Sequence, residues 1–191
     1  EQNPMDAGNH PATHTTTRAD EDGIDEIAAH LAAAKRPVIL AGGGCIQARA
    51  HGELLRVAEL LGAPVVTTMM GKGVFPEDHP LCAQHTGACG THCGNHLTST
   101  ADVLLAVGTR FAEQTSSSYL DGDAFTIPGT KLLHIDIDPR EIGKNYPTEM
   151  AIKADVKETI KALIPVLQKK GGKALADKAK KGIAALAKTN W

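Results

Sequence analysis

Three groups of residues in this chain have types and spacings that could do chemistry. The first is Gly42-Gly43-Gly44, which follows the apolar run Pro37-Val38-Ile39-Leu40-Ala41 and precedes a helical pattern. Glycines let backbone approach a ligand without a Cβ in the way, and a helix start offers unpaired N–H groups and the positive end of its dipole. Such a turn can receive an anion, and a plain strand-to-helix turn without a ligand is an equal alternative. The second group is Arg110 with the acids Asp136, Asp138 and Asp155. Arg110 could pair with a phosphate or stack on a ring, and the acids could accept hydrogen bonds from ribose or adenine. Arg110 could equally cap a helix or form a salt bridge. Asp136 and Asp138 could cap the turn before Pro139-Arg140-Glu141, and for Asp138 that is the preferred reading.

The third group is Cys89, His92, Cys93 and His96, in which each pair of like residues shares a helical face. Zn²⁺ favours such ligands, but two pairs offset by three residues only partly meet the need for four converging ligands. Packing and helix-surface roles are the preferred reading, so no metal site is assigned. A Cys–His catalytic pair lacks an identifiable third, orienting group.

Two nucleotide motifs are excluded by their spacing. A Gly-x-Gly-x-x-Gly match from Gly42 and Gly44 needs glycine where Gln47 stands, and no acid ends the run Val65 to Thr68 to take a ribose 2′-hydroxyl. Gly71-Lys72-Gly73 lacks both the spacing and the hydroxyl of a nucleoside triphosphate loop.

The elements that must position these groups alternate between strand and helix. A helix starts at Asp20 and carries Ile24, Ile27, Ala28 and Leu31 at helical spacing. Strands are predicted at 37–41, 64–68, 102–111, 131–139 and 151–155, and helices at 46–61 and 156–169. The segment 79–100 reads as a glycine loop, with Gly87 and Gly90, that enters a helix ending near Thr100. This alternation predicts an α/β fold, a single-domain, doubly wound parallel sheet in a Rossmann-like three-layer α/β/α arrangement. Ligands of such sheets bind beyond the carboxyl ends of the strands, where Gly42 to Gly44, Thr68, Gly108 to Arg110, Asp136, Asp138 and Asp155 gather.

Composition sets outer bounds. The 191 residues are 42% hydrophobic, enough for one well-buried domain and short for two. A net charge of -2 gives no basic field for nucleic acid, and no run approaches a membrane span. Four cysteines are too sparse for a disulfide framework, and the expectation is a cytoplasmic protein with reduced thiols. Residues 1–19 read as a linker, 20–169 as the domain and 170–191 as a C-terminal connector. Because the chain begins at Glu1 rather than methionine, it reads as either a fragment of a longer gene product or a processed form.

Several segments, in order, resemble a known family. They are Gly42-Gly43-Gly44; Gly71-Lys72-Gly73-Val74-Phe75-Pro76 with His79-Pro80; Ala101 through Phe111; His134-Ile135-Asp136-Ile137-Asp138 with Glu141-Ile142-Gly143-Lys144; and Ala154-Asp155-Val156. Together they are similar to the middle domain of thiamine diphosphate-dependent enzymes, especially the acetolactate synthase large subunit and related carboligases and lyases. The resemblance implies a subunit with flanking pyrimidine-binding and diphosphate-binding domains, a homo-oligomer, and thiamine diphosphate with Mg²⁺ bound by those flanking domains. It implies FAD or ADP in the present domain, held by Gly42, Gly43, Gly44, Thr68, Gly87, Gly90, Gly108, Arg110, Asp136 and Asp155. No catalytic residue is expected here, and the isolated chain is expected to be inactive. The family's Gly-Met-His-Gly stands here as Gly87-Ala88-Cys89-Gly90, and its Arg-Phe-Asp-Asp-Arg as Arg110-Phe111-Ala112-Glu113-Gln114. A stand-alone nucleotide-binding or interaction module is the alternative, and a sirtuin-like NAD-dependent deacylase, which would use its cysteines for zinc, is a third.

Overall fold

The computed structural model describes residues 19–117 and 119–188. Helix α1 (Glu21–Ala33) starts where Asp20 accepts a hydrogen bond from the Gly23 N–H at 2.7 Å, an N-cap at the positive end of the dipole. Strand β1 (Pro37–Ala41) follows, then a short helix α2 (Gly43–Gln47) and helix α3 (His51–Leu61). The sequence predicts one helix over 46–61, but Arg49 at φ 54 ends α2 and restarts the chain as α3. Gly62, at φ 59, closes α3 in the left-handed conformation that glycine takes without strain.

Strand β2 (Val65–Thr67), a 3-10 turn at Met69–Gly71, strand β3 (Cys82–His85) and helix α4 (His92–Thr100) come next. Then follow β4 (Val103–Val107), a one-turn helix α5 (Glu113–Ser116), β5 (Lys131–Asp136), β6 (Met150–Lys153) and helix α6 (Val156–Lys188). The sheet has six strands, one more than the sequence predicts, because β3 lies in the segment read as a loop. Helix α6 runs past the expected end at Lys169. Gly171 and Gly172 each cost a helix about 1 kcal/mol relative to alanine, but Leu175, 5% exposed, packs against the core.

All six strands are parallel, in the order β3-β2-β1-β4-β5-β6. Side chains alternate across the sheet, so Ile39, Leu105 and Leu133 join α1, α3 and α6 on one face. Leu40, Leu104 and Leu132 join α4 and an aromatic cluster of Phe111, Phe125 and Tyr146 on the other. Strands buried on both faces explain why β1 and β4 read as continuous apolar runs. Truncating Leu40, fully buried at the sheet centre, to alanine would cost about 2–5 kcal/mol. At the opposite end of the sheet from the glycine turn, the Asp102 carboxylate accepts the Lys35 and Arg36 N–H groups at 2.5 and 2.8 Å and fixes where β1 begins. Residues 1–18 of the linker reading lie outside the described residues, and Ala19 already packs in the core.

Candidate functional site

The strand order reverses between β1 and β4: the chain steps outward from β1 to β3, then returns to lay β4 on the other side of β1. Two turns that leave neighbouring strands in opposite directions open a crevice at that point. Here the turns interlock first. The Gly42 N–H donates to the Val107 carbonyl at 2.9 Å and the Gly44 N–H to the Gly108 carbonyl at 3.0 Å. A Cβ on Gly42 would fall on the Gly108 carbonyl, and one on Gly44 would sit 2.8 Å from the Gly108 Cα. Gly71, from the 3-10 turn, approaches the Ala41 carbonyl with equal closeness. Of the three consecutive glycines, only Gly43 keeps an N–H without an acceptor among the described residues, and Gly43 lines the crevice.

Beneath this turn, Cys45 is fully buried and its thiol donates to the Val107 carbonyl at 3.2 Å. Burial pushes the thiol up to about 12, so it stays protonated and unreactive. Thr68 accepts the Gly71 N–H on Oγ1 at 3.1 Å and caps the 3-10 turn from inside the crevice.

The facing wall is built differently. Phe111 is buried at φ 48, a conformation bulky side chains rarely take. Its carbonyl accepts three side-chain donors: Ser116 Oγ at 3.0 Å, Tyr119 Oη at 3.2 Å and Asn145 Nδ2 at 2.9 Å. Two residues earlier, the Thr109 carbonyl accepts from His134 Nε2 at 2.8 Å. Arg110 stands between these two anchored carbonyls, exposed, with no hydrogen bond or ion pair from its side chain among the described residues.

At the end of β5, Asp136 is buried and accepts the Asp138 N–H on Oδ1 at 2.9 Å. Burial pushes the Asp136 carboxyl up, against the lowering pull of that bond and of His134. Asp138 accepts the Arg140 N–H at 3.0 Å and pairs with its guanidinium at 2.6 Å, which holds Asp138 down at about 2. That is the turn-capping role read for Asp138 from the sequence.

A cavity of about 480 Å³ lies between the two walls, within the ordinary range of small-molecule sites of about 300–1,000 Å³. It brings together Gly43, Gly44, Thr68, Gly108, Arg110 and Asp136 of the expected set. Gly42 sits behind them, packed on Gly108. Gly87 and Gly90 lie in the β3–α4 loop, folded around Asn95, whose Oδ1 accepts the Gly87 N–H at 2.9 Å. Gly87 touches the Gln114 carbonyl, next to the cavity residue Thr115. Asp155 does not line the cavity: it accepts the Glu158 N–H at 2.9 Å and caps α6.

Gln47, Met70, Ile137 and Glu141, which the sequence does not mark as binding residues, also line the cavity. Met70 was hidden because nothing in sequence spacing tells that its Cβ lies over Gly43. His92 and His96 sit with ring centroids 6.1 Å apart on α4, while Cys93 is buried and Cys89 exposed. Among the described residues, no group of three or more His, Cys, Asp and Glu is placed to hold a metal, and no helix is long and apolar enough to cross a membrane.

Residues 24–163 match the model of the thiamine pyrophosphate enzyme central domain. The chain belongs to that family. It is similar to a probable acetolactate synthase large subunit of Methanocaldococcus jannaschii, 46% identical over 145 residues, which are 75% of this chain and 24% of that protein. It is also similar to an acetolactate synthase of Mycobacterium avium, 40% identical over 164 residues (84% of this chain, 25% of that one). A probable chloroplastic acetolactate synthase 2 of Oryza sativa is 40% identical over 152 residues, 79% of this chain and 22% of its own length. The chain therefore spans about a quarter of the length of these relatives. Membership in the central-domain family takes the place of the sirtuin-like alternative.

Proposed function

We propose that this central domain, over residues 20–169, belongs to a thiamine diphosphate-dependent enzyme of the acetolactate synthase type that decarboxylates and joins 2-oxo acids, and that it holds FAD or ADP in the switch-point cavity. The observation that carries the nucleotide reading is Arg110: the cation stands in the cavity between two anchored carbonyls and is spent on no partner among the described residues. An unpaired guanidinium offers a planar fork to a phosphate. The Gly43 N–H lies across the cavity for a second phosphate oxygen, and the buried Asp136, with one oxygen occupied by Asp138, has another for a sugar hydroxyl. Met70, 74% exposed at the rim, offers an apolar thioether surface to a flat ring. These residues fit an adenine nucleotide, and the bound group would supply a rigid strut between the two walls.

The domain would act as scaffold in a cytosolic homo-oligomer, with pyrimidine-binding and diphosphate-binding domains supplying thiamine diphosphate, Mg²⁺ and the chemistry. The test is calorimetric titration of the chain with ADP and with FAD, alongside the Arg110→Ala variant. Binding of either ligand is expected, weakened about 10- to 100-fold by the substitution, consistent with about 1.5–3 kcal/mol for a charged hydrogen-bond partner. Equal affinity in the variant, or no binding by the parent chain, overturns the nucleotide site. Pyruvate turnover by this chain alone, given thiamine diphosphate and Mg²⁺, overturns the scaffold role.

A further inference from the structure

His134 is 1% exposed on β5, inside the aromatic cluster, with its ring edge-on to Phe111 at a centroid distance of 5.3 Å. Its Nε2 reaches the Thr109 carbonyl at 2.8 Å. A carbonyl only accepts, so Nε2 carries the proton, and in the neutral ring Nδ1 is left as an acceptor. That Nδ1 is buried with no hydrogen-bond partner. A phenylalanine there would match the apolar neighbours and leave no orphaned nitrogen. What the imidazole adds is one donor, aimed at the carbonyl of the residue that precedes Arg110.

The surroundings point the same way. The Phe111 carbonyl, on the other side of Arg110, is bonded by Asn145 from the loop after β5. The residue that faces the ligand cavity is thus held from both sides by groups from β5 and the loop that follows it, the strand and loop that complete its own wall. We propose that His134 is a positioning residue: its Nε2–H, by holding the Thr109 carbonyl, fixes the turn that aims Arg110 at an anionic group in the cavity. The ligand part of this inference rests on the nucleotide reading above, while the fixing of the turn does not.

The test compares His134→Phe, which keeps a ring and removes the donor, with His134→Gln, which replaces the donor by an amide N–H. In the 191-residue chain, His134→Phe is expected to weaken ADP binding about 10-fold and His134→Gln to stay within about threefold of the parent. In the Arg110→Ala background, His134→Phe is expected to cause no further loss, because the two act as one unit. Unfolding temperatures measured on the same samples separate this from general destabilisation, which would lower affinity in step with stability whichever donor is present. Hydrogen exchange at the Arg110 and Phe111 amides is the ligand-free readout, expected to speed up in His134→Phe and not in His134→Gln. Affinity unchanged in His134→Phe, or losses that add to those of Arg110→Ala, would overturn the proposal. If the parent chain binds neither ADP nor FAD, the nucleotide reading falls and exchange alone decides whether His134 fixes the turn; equal exchange in the two variants then sinks that claim as well.

Discussion

The two walls of the cavity are held in place by opposite means. The wall after β1 is held by what its residues lack: Gly42, Gly44 and Gly71 permit backbone to lie on backbone, and any Cβ would intrude. The wall after β4 and β5 is held by what its residues carry: His134, Ser116, Tyr119 and Asn145 each place a side-chain donor on a carbonyl beside Arg110. A wall made of absences tolerates almost no addition, whereas a wall made of several bonds loses them one at a time.

The largest expected effect breaks the first wall. Gly42→Ala sets a methyl against the Gly108 carbonyl, where backbone rather than a flexible side chain must yield. It should lower the unfolding free energy by about 3 kcal/mol, at the upper end for overpacking, as read by urea denaturation. A loss within experimental error would show that the two turns can separate freely.

The second wall should yield less and show a pH signature. Burial holds the His134 imidazole below its ordinary value of 6.5. The unfolded chain then binds more protons than the folded one between the folded value and 6.5, so stability falls as pH drops through that window and is regained above it. One such group gives a slope of at most about 1.4 kcal/mol per pH unit. His134→Phe should cost about 1 kcal/mol at pH 8 for the lost hydrogen bond and flatten the slope below pH 6.5 in parallel urea melts. An unchanged slope would mean that His134 titrates alike in both states. Asp136 has the opposite sign: burial raises it above 3.8, so the stability of its neutral form is lost as pH rises through the folded value.

The smallest effect lies at the edge of the second wall. Asp138 is held at about 2 chiefly by Arg140, and what it contributes is present above 3.8 and lost as pH falls towards 2. Arg140→Ala should return Asp138 towards its ordinary value in a carboxyl NMR titration, with little change in unfolding. A value still near 2 would assign the effect to the backbone N–H instead.

The difference between the walls also explains what was legible in the sequence. Glycines announce themselves, so Gly42 to Gly44 and Gly108 could be placed at the sheet's carboxyl edge from spacing alone, and the α/β alternation set the parallel sheet. Two bonds of the other wall join residues 25 and 34 positions apart, His134 to Thr109 and Asn145 to Phe111, and no local pattern encodes them. Asp155 follows the last strand as a ligand-binding acid would, yet the same position serves equally as the N-cap of α6. Strand β3 escaped notice because Cys82-Ala83-Gln84-His85 has no β-branched residue, and because Gln84, at φ 62, breaks the pairing with β2. In α6 the pair Gly171-Gly172 carries a stop signal that the packing of Leu175 overrides.

Cys45 lies under the interlocked turns, protonated and sealed against Val107, while Cys89 stands in the open on the β3–α4 loop. The molecule thus carries its own clock and its own control. A thiol reagent can label Cys89 at once, but it can reach Cys45 only during the moments when the turns after β1 and β4 part. The delay between the two labelling events measures how often the floor of the cavity opens, with no foreign probe added to the chain.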